Sequence, residues 1–217
     1  MAIFDTISKK TDLGRRQFLQ NLRAGVIAAL VSSPSSSVAQ PEAGQAPDWY
    51  KICRPHLEWI NWQPNLDVNR YVAQLMSRAE EMNSDTIFYP FESGGYLLYP
   101  GKMAPPYEHM GGQDLLGSLD RQAHKRGMKF GVCFLGLSAN TYISSQYPEW
   151  VQRDGHARLI EKWPGYQFRS LCPNSPYSDY LCEVAREVLN RYEVDAIYLE
   201  GIYMVPGFCH CSYCNSL

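Results

Sequence analysis

The sequence predicts an α/β fold of the (β/α)8 TIM-barrel type, truncated to about the first four βα units. Two observations carry this. From Asp48 onward, apolar runs alternate with longer stretches of helical periodicity, the pattern of βα units laid on a parallel sheet. A complete barrel needs eight such units and about 250 residues, whereas this chain has 217 residues and the pattern repeats only four times. Half a barrel leaves a strand edge unpaired and one face of its core uncovered. A second half-barrel or another copy of the chain is therefore the expected protein partner.

Composition narrows the class. With 45% hydrophobic and 19% charged residues, the chain reads as a folded domain and not as a disordered or fibrous one. The 5 Trp and 15 Tyr supply flat rings of the kind that stack on sugar C–H surfaces, although the same rings also fill cores. A formal net charge of -2 offers no basic face for nucleic acid.

Residues 1–39 read as an address label. A polar lead precedes Arg15-Arg16, followed by Gln17-Phe18-Leu19-Gln20 and the mild apolar run Ala24 to Val31. This resembles a twin-arginine (Tat) export signal, with Ser37-Val38-Ala39 supplying small residues for cleavage after Ala39. The apolar run is too short for a stable membrane anchor, and the Ser/Pro tract from Ser32 to Ser37 would break a helix belonging to the fold. The expectation is an exported protein, periplasmic or extracellular, with a linker over 40–48 and the half-barrel over 49–217.

Along that half-barrel, Tyr50 to Trp59 is the first expected strand and Asp67 to Met82 the first helix. In that helix Val68, Tyr71, Val72, Leu75, Met76 and Ala79 recur at three- and four-residue spacings, marking one buried stripe. Asp85 to Phe91 is the second strand. The Gly-, Pro- and Tyr-rich stretch from Glu92 to Gly112 is a long loop, of a length that is usually functional inside a compact domain. A helix from Gln113 to Lys125, closed by Gly127, leads to a third strand at Lys129 to Leu135. After a second long loop, Gly136 to Pro176, a helix runs from Tyr177 to Tyr192 and a fourth strand from Val194 to Leu199, with Glu200 at its end.

The chemistry gathers behind that strand. Cys209, Cys211 and Cys214 form a C-x-C-x-x-C knot, which places three soft thiolates within reach of one ion. Cys172 is the best fourth ligand for the tetrahedron that zinc prefers. Such a zinc is structural, because four cysteines leave no position for water. Disulfides are the rival reading for an exported protein, and the total of 7 cysteines would then leave one thiol unpaired. Cys53, Cys133 and Cys182 read as small buried hydrophobes.

The runs Tyr147-Pro148-Glu149-Trp150, Asp154-Gly155 and Cys172-Pro173-Asn174-Ser175-Pro176-Tyr177, then Glu200 and the cysteine knot, resemble glycoside hydrolase family 42 β-galactosidases. The same order resembles the hypothetical glycosyl hydrolase 6 family, a related barrel group. The resemblance implies that Cys172, Cys209, Cys211 and Cys214 hold a zinc ion, and that Glu200 is the general acid/base or, as in fucosidase-like barrels, the nucleophile. Leu199 stands where the family 42 pattern has Asn.

His56, Glu58 and Glu92, near the ends of the first two strands, are expected to hydrogen-bond sugar hydroxyls. Trp59, Trp62, Tyr96 and Tyr203 are expected to stack on sugar rings, against plain packing for each. The function expected is that of an exported glycoside hydrolase-like protein acting on O-glycosidic bonds. The alternatives are a non-catalytic carbohydrate-binding or interaction module that keeps the cleft and the metal, and a metal carrier, which would demand exchangeable zinc.

Overall fold

In a computed structural model, the structure describes residues 48–58, 65–135, 141–159, 169–200 and 209–215. The expected export signal and the linker up to residue 47 lie outside the described residues.

The fold begins with a correction. The expected first strand, Tyr50 to Trp59, opens instead with a short helix, α1 (Asp48–Ile52), and only Pro55–Leu57 forms strand β1. Proline has no N–H to give to a ladder and is tolerated at a strand's first residue, so pairing starts there. The entry is fixed from the next strand: Arg54 donates its backbone N–H to the Asp85 carboxylate at 2.7 Å and its Nε at 3.2 Å.

Helix α2 (Val68–Glu81) follows the expected stripe. Asp67 caps it by accepting from the Arg70 N–H at 3.0 Å, and Val68, Val72, Leu75, Met76 and Ala79 are all buried. Strand β2 (Thr86–Pro90) is buried along its whole length, as befits a parallel strand covered on both faces. The long loop after it has structure of its own. Glu92–Ser93 (β3) and Tyr96–Leu97 (β4) form a small antiparallel ribbon turned by Gly94 and Gly95, both at positive φ, where glycine carries no Cβ penalty. The rest of that loop returns to the core, burying Leu98, Tyr99, Tyr107 and Met110.

Helix α3 (Leu115–Lys125) is capped by Asp114, which accepts from the Gly117 N–H at 2.8 Å. Strand β5 (Lys129–Leu135) has the expected bounds. A short helix α4 (Thr141–Gln146), helix α5 (Tyr177–Arg191), strand β6 (Ala196–Glu200) and a terminal turn of helix α6 (Ser212–Asn215) complete the order.

The main sheet is wholly parallel in the order β1-β2-β5-β6, so each βα unit adds its strand beside the previous one. Sequential parallel addition of this kind is the topology of consecutive βα units in a barrel. Register separates two faces. His56, Ile87, Phe130 and the residues two steps on, Tyr89 and Val132, share the helix side, since the Tyr89 hydroxyl meets that of Tyr71 on α2 at 2.8 Å. Leu57, Phe88, Gly131 and Ala196 share the other side.

Where strands begin, the Asp195 carboxylate ties three segments together. It accepts from Lys129 Nζ at 2.8 Å, the Phe130 N–H at 2.9 Å and the His124 ring at 2.9 Å, while Asp120 holds the other ring nitrogen at 2.8 Å. Burial works against the His124 charge, but hydrogen bonds and charges from Asp195 and Asp120 outweigh it and raise the imidazole above its ordinary value. At this end of a barrel such groups serve stability.

On the second face, the Phe88 ring lies over Gly131, so that a Cβ added there would collide with it. Gly131→Ala is expected to destabilise by about 1–3 kcal/mol through overpacking, read from denaturant midpoints. Phe88→Leu in the same chain is expected to recover part of that loss, and a double variant no better than Gly131→Ala alone would refute the packing explanation.

Candidate functional site

The site assembles at the ends of the parallel strands, where barrel folds collect functional groups. The loop after β5 leaves a 3-10 turn at Pro148–Trp150 and then pairs Val151 with Leu171 in a short antiparallel bridge. Three contacts hold the bridge: Gln152 N–H to Ser170 O at 2.7 Å, Cys172 N–H to Trp150 O at 2.7 Å, and Gln152 Nε2 to Leu171 O at 2.9 Å. Cys172 therefore emerges from a pinned segment, fully buried.

The chain after β6 docks onto the same segment. The His210 N–H donates to Arg153 O at 2.8 Å, and the Trp150 indole donates to the Tyr213 hydroxyl. These contacts deliver Cys209, Cys211 and Cys214 to Cys172. The four Sγ atoms all lie within 4.8 Å of one another, with Cys172 and Cys214 at 3.4 Å. A thiolate tetrahedron with arms of about 2.3 Å has edges of roughly 3.8 Å, so the cluster has the size that one ion needs. The four cysteines can hold a metal ion, and the expected ligand set is brought together in full. Burial raises the Cys172 thiol, and its neighbours Cys214 and Cys211 add to that, as is natural for crowded sulfurs.

Glu200 closes β6 and is paired in register with Leu135, two residues beyond the Cys133–Tyr198 pair. Its backbone thus sits at the strand end, a few residues ahead of the cysteines; its side chain lies outside the described residues, as do Trp59, Trp62 and Tyr203.

His56 and Glu58, expected to meet sugar, are occupied elsewhere. His56 is buried on the helix side and shares a hydrogen bond of 3.1 Å with Glu58. The Glu58 carboxylate also accepts from the Tyr71 hydroxyl at 3.0 Å and from Arg78 Nε at 3.2 Å. Burial alone would raise Glu58, but Arg78, His56 and Tyr71 together hold it below the usual carboxylate range. The pair fastens α2 to β1. In a parallel strand, one position decides whether a side chain enters the helix layer or the opposite face.

Glu92, expected at the end of the second strand, instead opens the β3–β4 ribbon two residues past β2, and it is only 3% exposed. Burial pushes its carboxyl up to about 8, with the Gly95 N–H pulling the other way. Tyr177 and Tyr180 of α5 are its electrostatic neighbours. Tyr96 is 37% exposed at the ribbon's edge and faces Tyr142, ring centroids 5.7 Å apart. Of the three cysteines read as buried hydrophobes, Cys133 is buried while Cys53 and Cys182 are half-buried.

Comparison with known proteins identifies the scaffold. Residues 71–201, more than half of the chain, match the family described as hypothetical glycosyl hydrolase 6. The chain belongs to that family. No curated protein matches it in sequence. Among solved structures, the fold is similar to alpha-L-fucosidase isoenzyme 2 from Paenibacillus thiaminolyticus. The TM-score is 0.64 at 19% identity, over 75% of this chain and 25% of that one. It is also similar to the alpha-N-acetylgalactosaminidase NagBb from Bifidobacterium bifidum, with TM-score 0.51 and 18% identity over 73% of this chain and 28% of that one.

This hypothetical glycosyl hydrolase 6 chain therefore shares the parallel α/β architecture of TIM-barrel glycosidases and spans about a quarter of the length of these two. The family match ends at Gly201, so the cysteine knot lies beyond it. Spatial convergence on Cys172 is what joins the knot to the family's core. Among the described residues no helix is long and apolar enough to cross a membrane.

The state of Glu92 is testable through pH. A carboxyl near 8 in the folded chain and about 4.3 unfolded binds more protons when folded, so stability falls as pH rises between those values and levels off above about 8. Glu92→Gln is expected to melt above the wild type at pH 8, with the gap closing toward pH 4.5. A gap that is constant with pH would show that Glu92 ionises normally.

Proposed function

We propose that this glycoside hydrolase-like chain cleaves O-glycosidic bonds, with Glu200 as its acid/base or nucleophile and a structural zinc held by Cys172, Cys209, Cys211 and Cys214. The observation that carries the reading is the convergence of the four sulfurs, three of them on the chain that follows the strand Glu200 ends. Soft thiolates in a tetrahedral set favour zinc over hard cations. With all four positions taken by sulfur, the ion fixes the rim and leaves the chemistry to side chains. The family 42 ligand pattern agrees with this donor set.

In this reading Glu200 either protonates the leaving oxygen or attacks the anomeric carbon. Glycosidases work with two carboxyl groups, about 5–5.5 Å apart when they retain configuration and 6.5–9.5 Å when they invert it. We assign the partner carboxyl to a strand that completes the barrel. Glu92 is unsuited to that role, since its side chain is only 3% exposed and so closed to a substrate. Export by the twin-arginine route, suggested by Arg15-Arg16, belongs to the same proposal.

Binding without catalysis is the second reading, favoured by one observation: the fold matches only a quarter of the fucosidase. Glu200→Gln separates the two. With a panel of nitrophenyl glycosides and a barrel completed by the half that supplies the partner carboxyl, the hydrolase reading expects turnover with wild-type Glu200, a loss of at least 100-fold in the variant with sugar binding retained, and no turnover by this chain alone. Sugar binding with no turnover in either protein supports the module instead.

Metal removal supplies a further check. Chelation of the full chain is expected to release one zinc per chain and to lower the melting temperature by several degrees, with zinc alone restoring it. A chain that melts identically with and without chelator would rule out structural zinc.

A further inference from the structure

The string Cys172-Pro173-Asn174-Ser175-Pro176 is the most specific part of the sequence beside the knot, and it brings more than a cysteine to the cluster. Asn174 follows that cysteine by two residues and reaches two sulfurs. Its backbone N–H is hydrogen-bonded to the Cys172 thiol, and its side-chain Nδ2 donates to Cys214 Sγ at 3.4 Å. Cys172 and Cys214 are sulfurs that come from different loops and stand 3.4 Å apart. One residue thus spans the seam of the cluster.

The loop holds Asn174 in that position. Ser175 Oγ donates to Cys172 O at 2.6 Å and accepts from the Tyr177 N–H at 3.3 Å, while Ser178 Oγ donates to Ser175 O at 3.2 Å. Pro173 and Pro176 flank the pair with φ fixed by their rings. Little freedom is left to lose when the amide engages sulfur.

Charge gives the arrangement its purpose. Four thiolates around a divalent ion carry two units of excess negative charge, in a site where Cys172 and Cys211 are buried from water. N–H donors aimed at sulfur spread that charge and fix ligand orientation, as outer-shell groups do around metal centres generally.

We propose that Asn174 is a positioning residue of the metal centre, clamping Cys172 and Cys214 as thiolates through its backbone and side-chain N–H groups. The proposal rests on the reading of the four cysteines as a zinc site.

The test uses the full chain with Asn174→Ala, which deletes the amide donor, and Asn174→Asp, which keeps the shape but sets an anion beside the sulfurs. Zinc affinity is measured by competition with a chelating dye, and cobalt(II) is substituted to read the thiolate-to-metal charge-transfer bands. Affinity is expected to fall 10- to 100-fold in the alanine variant and further in the aspartate variant. The cobalt bands are expected to move to longer wavelength, because sulfur stripped of a hydrogen bond gives up charge more readily. The metal-free proteins are expected to melt together. If the wild type binds zinc and both variants match its affinity and spectrum, the clamp is overturned while the zinc site stands. Variants that lose stability equally with and without metal overturn the clamp as well. If the wild type takes up neither zinc nor cobalt, the metal reading falls and this inference with it.

Discussion

Four sulfurs confined within 4.8 Å set the constraint on which the functional end of this molecule depends. They belong to two segments that leave neighbouring strands. Parallel pairing aligns β5 with β6 but does not by itself direct the chain beyond either strand. The Val151–Leu171 bridge, the His210 link to Arg153 and the Trp150 contact to Tyr213 bring the cysteines to one point. Soft-ligand chemistry then has a reason to operate there. The rim is shaped by backbone hydrogen bonds first and by sulfur second.

How much of this can be read from residues alone varies with the kind of question. Helix α2 is legible because its apolar spacing is long and regular and Asp67 is an ordinary cap. Strand β5 is legible because Gly127 and the loop after Leu135 bracket an apolar run. The opening strand is not, since a five-residue helix leaves almost no periodic trace and Pro55 sets the true start. The four cysteines can be grouped from their spacing and type. Which side of the sheet His56 and Glu58 occupy cannot, because a shift of one position exchanges the faces and the deciding partners, Tyr71 and Arg78, sit on another element. Glu92 falls just beyond β2, at the start of the small ribbon, and its burial depends on how the Gly94-Gly95 ribbon and α5 close over it. Asn174 lies in the specific Cys172–Pro176 string, but nothing in that string tells which group its amide meets; its distance to Cys214 does.

The two faces of the sheet are unequal. On the helix side, Ile87, Tyr89, Phe130 and Val132 are sealed. On the opposite side, Leu57 and Tyr198 remain 40% and 38% exposed, with the Tyr198 ring edge-on to Phe88 at 5.9 Å. In a closed barrel that second face is interior. The resemblance to a quarter of much longer glycosidases fits a sheet whose inner lining is present but only partly covered.

The sequential strand order has a consequence for assembly. Since β1, β2, β5 and β6 join the sheet in the order in which they occur along the chain, early units can pair before later ones exist, and the entropy of closing long loops is met in small steps. The thiol cluster is different, because it unites Cys172 with residues some forty positions further on. In the native topology those four sulfurs are joined through contacts between the loop after β5 and the chain after β6, so the rim knits together parts of the chain that the sheet order alone leaves unconnected.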